Sequence, residues 1–94
     1  MPYYVYIMAS KKNGTLYVGS TSNLSERVNS HKAKTIPGFT KKYEITTLVY
    51  YEEYNDYPEA AQREKRLKKW KREWKVELIE KANENWKDLS AELM

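Results

Sequence analysis

Five side chains in this sequence are of the types that hydrolysis of a phosphodiester needs: Tyr6, Tyr17, Arg27, His31 and Glu64. A phosphodiester is an anion that resists attack, so its charge must be neutralised before its bond can break. A guanidinium binds phosphate at two points, a carboxylate is a hard oxygen ligand for Mg2+, and phenols and an imidazole can move protons. Each residue taken singly has an ordinary reading. Arg27 would be a surface helix residue, and His31, the only histidine, a satisfied or exposed one. Tyr6 and Tyr17 would be core aromatics with wet hydroxyls, and Glu64 the partner in a salt bridge to Arg27 or Lys42. Only the set points to one chemistry.

The elements that must position the set follow from pattern. Tyr3 to Ala9 (YYVYIMA) is β-rich and apolar and reads as a strand, with Tyr4, Tyr6 and Met8 on one face. Asn13-Gly14 is a hairpin signal, and Thr15 to Gly19 is the return strand. With Asn13 and Gly14 as the two turn residues, Lys12 pairs with Thr15. That register places Tyr6 and Tyr17 on the same side of the hairpin, because steps of two preserve the face. Ser22 or Asn23 caps a helix running from about Leu24 to Lys32, whose inward stripe is Leu24, Val28 and His31 and on which Arg27 and His31 are neighbours four apart. Ala33 to Lys42 is expected to be a loop. Tyr43 or Ile45 to Glu53 reads as a third strand. Asp56 with Glu59, and Pro58 in the first turn, start a long helix that reaches about Lys71 and continues, with or without a break, to Ala82. On that helix the apolar series Ala60, Leu67, Trp70, Trp74, Leu78 leaves Glu64 as the inward position between Ala60 and Leu67. A short last helix is expected from about Glu84 to Leu93. The order ββαβαα predicts an α+β fold with a small three-stranded antiparallel sheet flanked by helices.

Composition narrows the class. The 94 residues are expected to form one domain, 1–94, with a small core in which nine Tyr and three Trp carry much of the burial. The absence of cysteine excludes disulfides and thiolate metal sites. No signal peptide is expected and no apolar run approaches the ~20 residues of a membrane span, so the expected location is the cytoplasm, away from membranes. The net charge is only +4, but Gln62 to Lys75 holds eight Lys/Arg against two Glu, while Val76 to Met94 holds two Lys against five acids. A basic band beside an acidic tail suggests an anionic partner, although a charge run is also an ordinary solvated helix face. If the partner is nucleic acid, the phosphate contacts would come from Lys42, Arg63, Lys65, Arg66, Lys68, Lys69, Lys71 and Arg72.

The triplets YVY at Tyr4 to Tyr6 and YVG at Tyr17 to Gly19, then NLSERVNSH ending in His31, then REK at Arg63 to Lys65, together resemble the GIY-YIG nuclease superfamily. The resemblance covers residues 3 to 83 and is strongest to the small stand-alone bacterial branch. Tyr4 and Val5 stand where the family has Gly-Ile, and Val18 where it has Ile. The resemblance implies a single-metal endonuclease acting on DNA rather than RNA, with products carrying 5′-phosphate and 3′-hydroxyl ends, and a role in DNA repair or processing. In that scheme Glu64 would hold Mg2+ or Mn2+ against a non-bridging phosphate oxygen and the leaving 3′ oxygen. Tyr6 would act as general base or orient the attacking water, and Arg27 would hold the scissile phosphate. Tyr17 and His31 would complete the hydrogen-bond network, one of them relaying the proton. The family's asparagine near the end of the domain corresponds to Asn83 or Asn85, and no separate DNA-binding module is expected. A phenol ionises near pH 10 in water, so Tyr6 needs positive charge nearby to act as a base. Two other readings compete: a nucleic-acid-binding module without catalysis that uses the basic helix, and a protein-interaction domain with a relict site.

Overall fold

A computed structural model describes residues 2–93. Its centre is β1 (Tyr3–Ala9), which pairs antiparallel with β2 (Leu16–Thr21) on one side and β3 (Thr47–Tyr54) on the other, giving the order β2-β1-β3. A strand covered on both faces should be apolar along its whole length, and Val5 to Ala9 are all buried. One face packs Val5, Ile7 and Ala9 against Val18, Val49, Ala60, Leu67, Ile79 and Trp86. The other packs Tyr6 and Met8 against Leu24, Val28, Ile45 and Leu48. A bulge in the β1–β3 ladder after Ile7 leaves Val49 without a partner, so Val49 and Tyr50 both pack on the Ile7 face while Leu48 packs on the other.

The hairpin closes differently from its expected turn. Ser10 N–H bonds to the Thr15 carbonyl at 3.0 Å and Gly14 N–H to that of Lys11 at 2.9 Å, with Asn13 at φ 61°. The turn is therefore two residues longer than Asn13-Gly14 alone, and Tyr6 lies opposite Gly19 and Met8 opposite Tyr17. The register moves by an even step, so Tyr6 and Tyr17 do share a face.

α1 (Leu24–Lys32) is capped by Asn23, whose Oδ1 accepts from the Glu26 N–H at 3.1 Å, and it buries Leu24, Val28 and His31 against the Tyr6 face. The expected loop after it contains one helical turn, α2 (Phe39–Lys42). α3 (Tyr57–Lys69) starts at Asp56, which accepts from the Glu59 N–H at 3.0 Å, and lies on the opposite face through Ala60 and Leu67. The helical run breaks at Trp70, where ψ is 148°, and resumes as α4 (Arg72–Ala82). Of the expected last helix, only a 3-10 turn at Leu89–Leu93 forms. Before it, Asn83 ends α4: its amide donates to the carbonyls of Val49 (3.0 Å) and Lys87 (2.9 Å), and its Oδ1 accepts from the Lys87 N–H. Trp86, at φ 56°, is thereby folded into the core beside Ile79.

Candidate active site at the β2 edge

The site begins with a close approach between β1 and β2. A methyl group on Gly19 would stand 2.6 Å from the Tyr6 hydroxyl oxygen and 3.0 Å from the Tyr17 ring. The phenol of Tyr6, 1% exposed, thus lies in the space that Gly19 leaves open. From there its hydroxyl meets His31 Nε2 at 3.0 Å. His31 Nδ1 meets the hydroxyl of Thr40, on α2, at 3.2 Å. The Tyr17 ring closes the cluster, with its centroid 5.4 Å from that of His31 and 6.2 Å from that of Tyr6.

Electrostatics set the protonation states. Burial, reinforced by Arg27, lowers the His31 pKa below 6.5, so the ring is neutral at pH 7. A neutral ring offers one N–H and one lone pair to its two hydroxyl partners. It can accept from Tyr6 at Nε2 while Nδ1–H faces Thr40. Burial also raises the Tyr6 pKa well above 10; Tyr17 and Glu64 push the same way, and Arg27 pulls it down. Tyr6 is therefore a neutral phenol at rest. Arg27 is exposed, one helical turn before His31, and lines an open depression of about 460 Å3 with Thr21, Ser22, Asn23, Glu26, Ser30 and Ile36.

Glu64 approaches from the other face of the sheet. Alternation along β2 points Gly19 toward α1 and Ser20 toward α3. The Ser20 hydroxyl donates to Glu64 Oε1, and Lys68 Nζ lies 2.6 Å from Oε2. The salt bridge thus goes to the next turn of the same helix rather than to Arg27 or Lys42, which lie on elements of the opposite layer. Burial opposes ionisation of Glu64, but the bonds from Lys68 and Ser20 prevail and its pKa falls below 4.5. The five residues therefore reach the site from both faces of the sheet. They straddle the edge strand: Tyr6, Tyr17, Arg27 and His31 on the α1 side, Glu64 on the α3 side, and Gly19-Ser20 between them. Ser20 and Thr40, each bonded to one of the five, carry no sequence signal beyond being hydroxyls.

No group of three or more His, Cys, Asp or Glu converges among the described residues. The donor chemistry at Glu64 fits a divalent ion held by a single carboxylate, with water and substrate supplying the other ligands. The carboxylate is ionised, 20% exposed, and its one basic partner among the described residues is a half-exposed lysine that can swing away.

The basic residues fare unevenly. Arg63 is a correction: its guanidinium is held two-pronged by Glu52, with both N–O distances 2.9 Å, and lies against the Trp70 ring, so it is not available to phosphates. Lys68 is committed to Glu64, and Arg72 donates to the Asn13 carbonyl at 2.9 Å. Lys71 sits over Trp74 and Lys42 over Tyr43, both exposed, as are Lys65, Arg66 and Lys69. Asn83 is buried in the backbone contacts described above, and Asn85 is exposed.

Residues 2–77 match the GIY-YIG catalytic domain family. The UPF0213 protein SH2523 of Staphylococcus haemolyticus is 37% identical over 78 residues, which span 83% of this chain and 94% of that one. The UPF0213 protein CPE1444 of Clostridium perfringens is 37% identical over 76 residues, 81% of each chain. The solution NMR structure of the UPF0213 protein BH0048 from Bacillus halodurans matches with a TM-score of 0.58 at 25% identity, over 94% of this chain and 93% of that one. The chain belongs to the GIY-YIG family, whose fold is of the nuclease type. Within it, its relatives place it in the stand-alone UPF0213 branch. No helix among the described residues is long and apolar enough to cross a membrane.

Proposed function

We propose that the chain is a divalent-metal-dependent endonuclease that hydrolyses DNA phosphodiesters, leaving 5′-phosphate and 3′-hydroxyl ends, in DNA repair or processing. One observation carries the reading: the Tyr6 phenol is bonded to a neutral imidazole and lies within the fields of both Arg27 and Glu64. A core tyrosine needs a hydrogen-bond partner but has no need of a cation and a carboxylate at a sheet edge. Arg27, exposed beside its depression, binds the scissile phosphate and neutralises charge that grows on it. A water placed beside the Tyr6 oxygen attacks phosphorus. As the bond to phosphorus forms, the water proton passes to Tyr6 and the Tyr6 proton to His31 Nε2, so the high phenol pKa is never paid in full as a free phenolate. The P–O3′ bond breaks, and the 3′ oxygen takes its proton from solvent. Glu64 would hold Mg2+ or Mn2+, which would supply positive charge to the phosphate oxygens. Tyr17 closes the site against the ring of His31.

The test is incubation with plasmid, single-stranded and branched DNA in Mg2+ or Mn2+, beside Glu64→Ala. Metal-dependent cutting that the variant lacks supports the reading. Binding without cutting of any substrate would leave a nucleic-acid-binding module, and neither activity a relict site.

A further inference from the structure

Past the site, the β2 edge leads back to the hairpin, and α3 and α4, antiparallel to β2 in chain direction, follow it there. Glu64 meets Ser20 near one end, and Arg72 meets Asn13 at the other. At that second end Asn13, Gly14, Thr15 and Leu16 form a groove of about 530 Å3 with Arg72 and Lys75. Two features separate this groove from an ordinary solvated lysine face. Its cations sit against the fold: Arg72, though exposed, donates to the hairpin backbone at 2.9 Å, and Lys75 is half-buried. They are also uncompensated, because among the described residues neither lies within ion-pair distance of a carboxylate. The crowding is felt, since burial and the neighbouring Arg72 both lower the Lys75 pKa. Two like charges facing one open groove, one of them half-buried, are stabilised by an anion that spans them.

We propose that Arg72 and Lys75 form a phosphate subsite that holds the DNA backbone on the hairpin side of the cut. The inference rests on the nuclease reading for its substrate. Four strand steps separate Leu16 from Ser20, about 13 Å, so the phosphate held there is a near neighbour of the one cleaved and not the scissile phosphate itself. Lys68 lies between the two ends on the same side of α3. A divalent ion held by its partner carboxylate would free Lys68 to join the row.

The experiment is fluorescence anisotropy with a short labelled DNA duplex in EDTA, at several salt concentrations, for the wild type, Arg72→Ala/Lys75→Ala and the charge-keeping Arg72→Lys/Lys75→Arg. Each backbone contact contributes about 0.9 to the slope of log affinity against log salt, so the alanine pair should flatten the slope by about 1.8 and weaken binding about tenfold or more near 0.1 M salt. The charge-keeping pair should retain the wild-type slope. If the hairpin loosens without Arg72, Lys75→Ala alone, which removes no hydrogen bond of the fold, should show half the change. A wild-type slope in both alanine variants overturns the subsite while leaving cleavage to be judged on its own. A flattened slope in a protein that cuts nothing keeps the subsite and removes the nuclease. No duplex binding by the wild type overturns the subsite outright.

Discussion

At the β3 edge of the sheet Arg63 closes on Glu52, and at the β2 edge its neighbour in α3, Glu64, takes a serine and a lysine. The two carboxylates are about equally covered, 17% and 20% exposed. Both are held below the ordinary carboxylate pKa against burial, Glu52 by Arg63, Tyr50 and Tyr54, and Glu64 by Lys68 and Ser20. What differs is how full they are. A carboxylate has about four acceptor positions. Glu52 accepts from two guanidinium nitrogens at 2.9 Å, from Tyr54 at 2.6 Å and from Tyr50. Glu64 accepts from one hydroxyl and one exposed amine. A saturated carboxylate has nothing left to offer a ligand and serves to fix the helix on the sheet. A half-filled one at the edge strand, close enough to act on the Tyr6 phenol, keeps its capacity for chemistry. Burial alone would not have separated the two.

The contrast breaks most readily at Glu64. Glu64→Gln keeps an acceptor for Ser20 and removes the charge. Cleavage should fall by on the order of a thousandfold or more, with the melting temperature within a few degrees of wild type, about 1 kcal/mol for a chain of this size. A fall in stability with cleavage retained would make Glu64 a second Glu52. Tyr6→Phe should be next, lowering kcat by about a hundredfold or more while the ring still fills the core. The same relay fixes a pH dependence. His31 must be neutral to receive the Tyr6 proton, and its pKa lies below 6.5. The wild-type profile of kcat/KM should therefore fall on the acid side with a midpoint below that value and stay level through neutrality. An acid limb centred above 6.5 would remove His31 from the relay.

Much of this geometry was legible in the sequence, and its losses have physical causes. Strand alternation gave the shared face of Tyr6 and Tyr17 even though the turn was misjudged, because a register error of two residues leaves every side chain on its face. It could not give the Gly19 contact, which depends on the register itself. Helical period turned Glu64 inward beside Ala60 and Leu67, and local capping placed the start of α1 at Ser22 or Asn23, the second being the cap that forms, and that of α3 at Asp56. The diversion of Arg63 was not legible: its partner lies eleven residues back on a different element, and a run of positive charge does not reveal which member has found an acid. The break at Trp70 was equally hidden, since no glycine or proline marks it. Nor does any local pattern show that Thr40, on a single turn of helix in an apparent loop, holds the far side of His31. Lys75 was counted in the basic band but singled out only by the groove that half-buries it.

The β3 edge makes the opposite prediction to the β2 edge. Glu52→Gln leaves the Arg63 guanidinium in a half-covered position without its counter-charge, which should cost about 3 kcal/mol, a drop in melting temperature on the order of 15 °C. Cleavage per folded molecule should stay within about threefold of wild type at low temperature, because Glu52 touches none of the reacting groups. Loss of cleavage without loss of stability would mean that the clamp governs where α3 presents Glu64, and the two edges would then be one device.

The smallest change tests the seam between them. On backbone grounds alone, Gly19→Ala in a strand should be favourable by roughly 0.5–1 kcal/mol, since glycine loses more freedom on folding. The contact distances oppose that gain: the added methyl would lie 2.6 Å from the Tyr6 oxygen and 2.7 Å from the carbon bearing it. Tyr6 is buried by Met8, Leu24 and Val28 and cannot swing into solvent. The strain should win, with a net loss of about 1–3 kcal/mol and a shift of the phenol off His31. The Tyr6→Phe background decides between the two causes. Removing the hydroxyl takes away the nearest of the clashing atoms, so Gly19→Ala should cost less there than in the wild type, a coupling on the order of 1 kcal/mol readable from denaturant midpoints. Strict additivity would mean that Gly19 serves the backbone of β2 instead of the seat of Tyr6, and the β2 edge would lose the feature that most distinguishes it from the other.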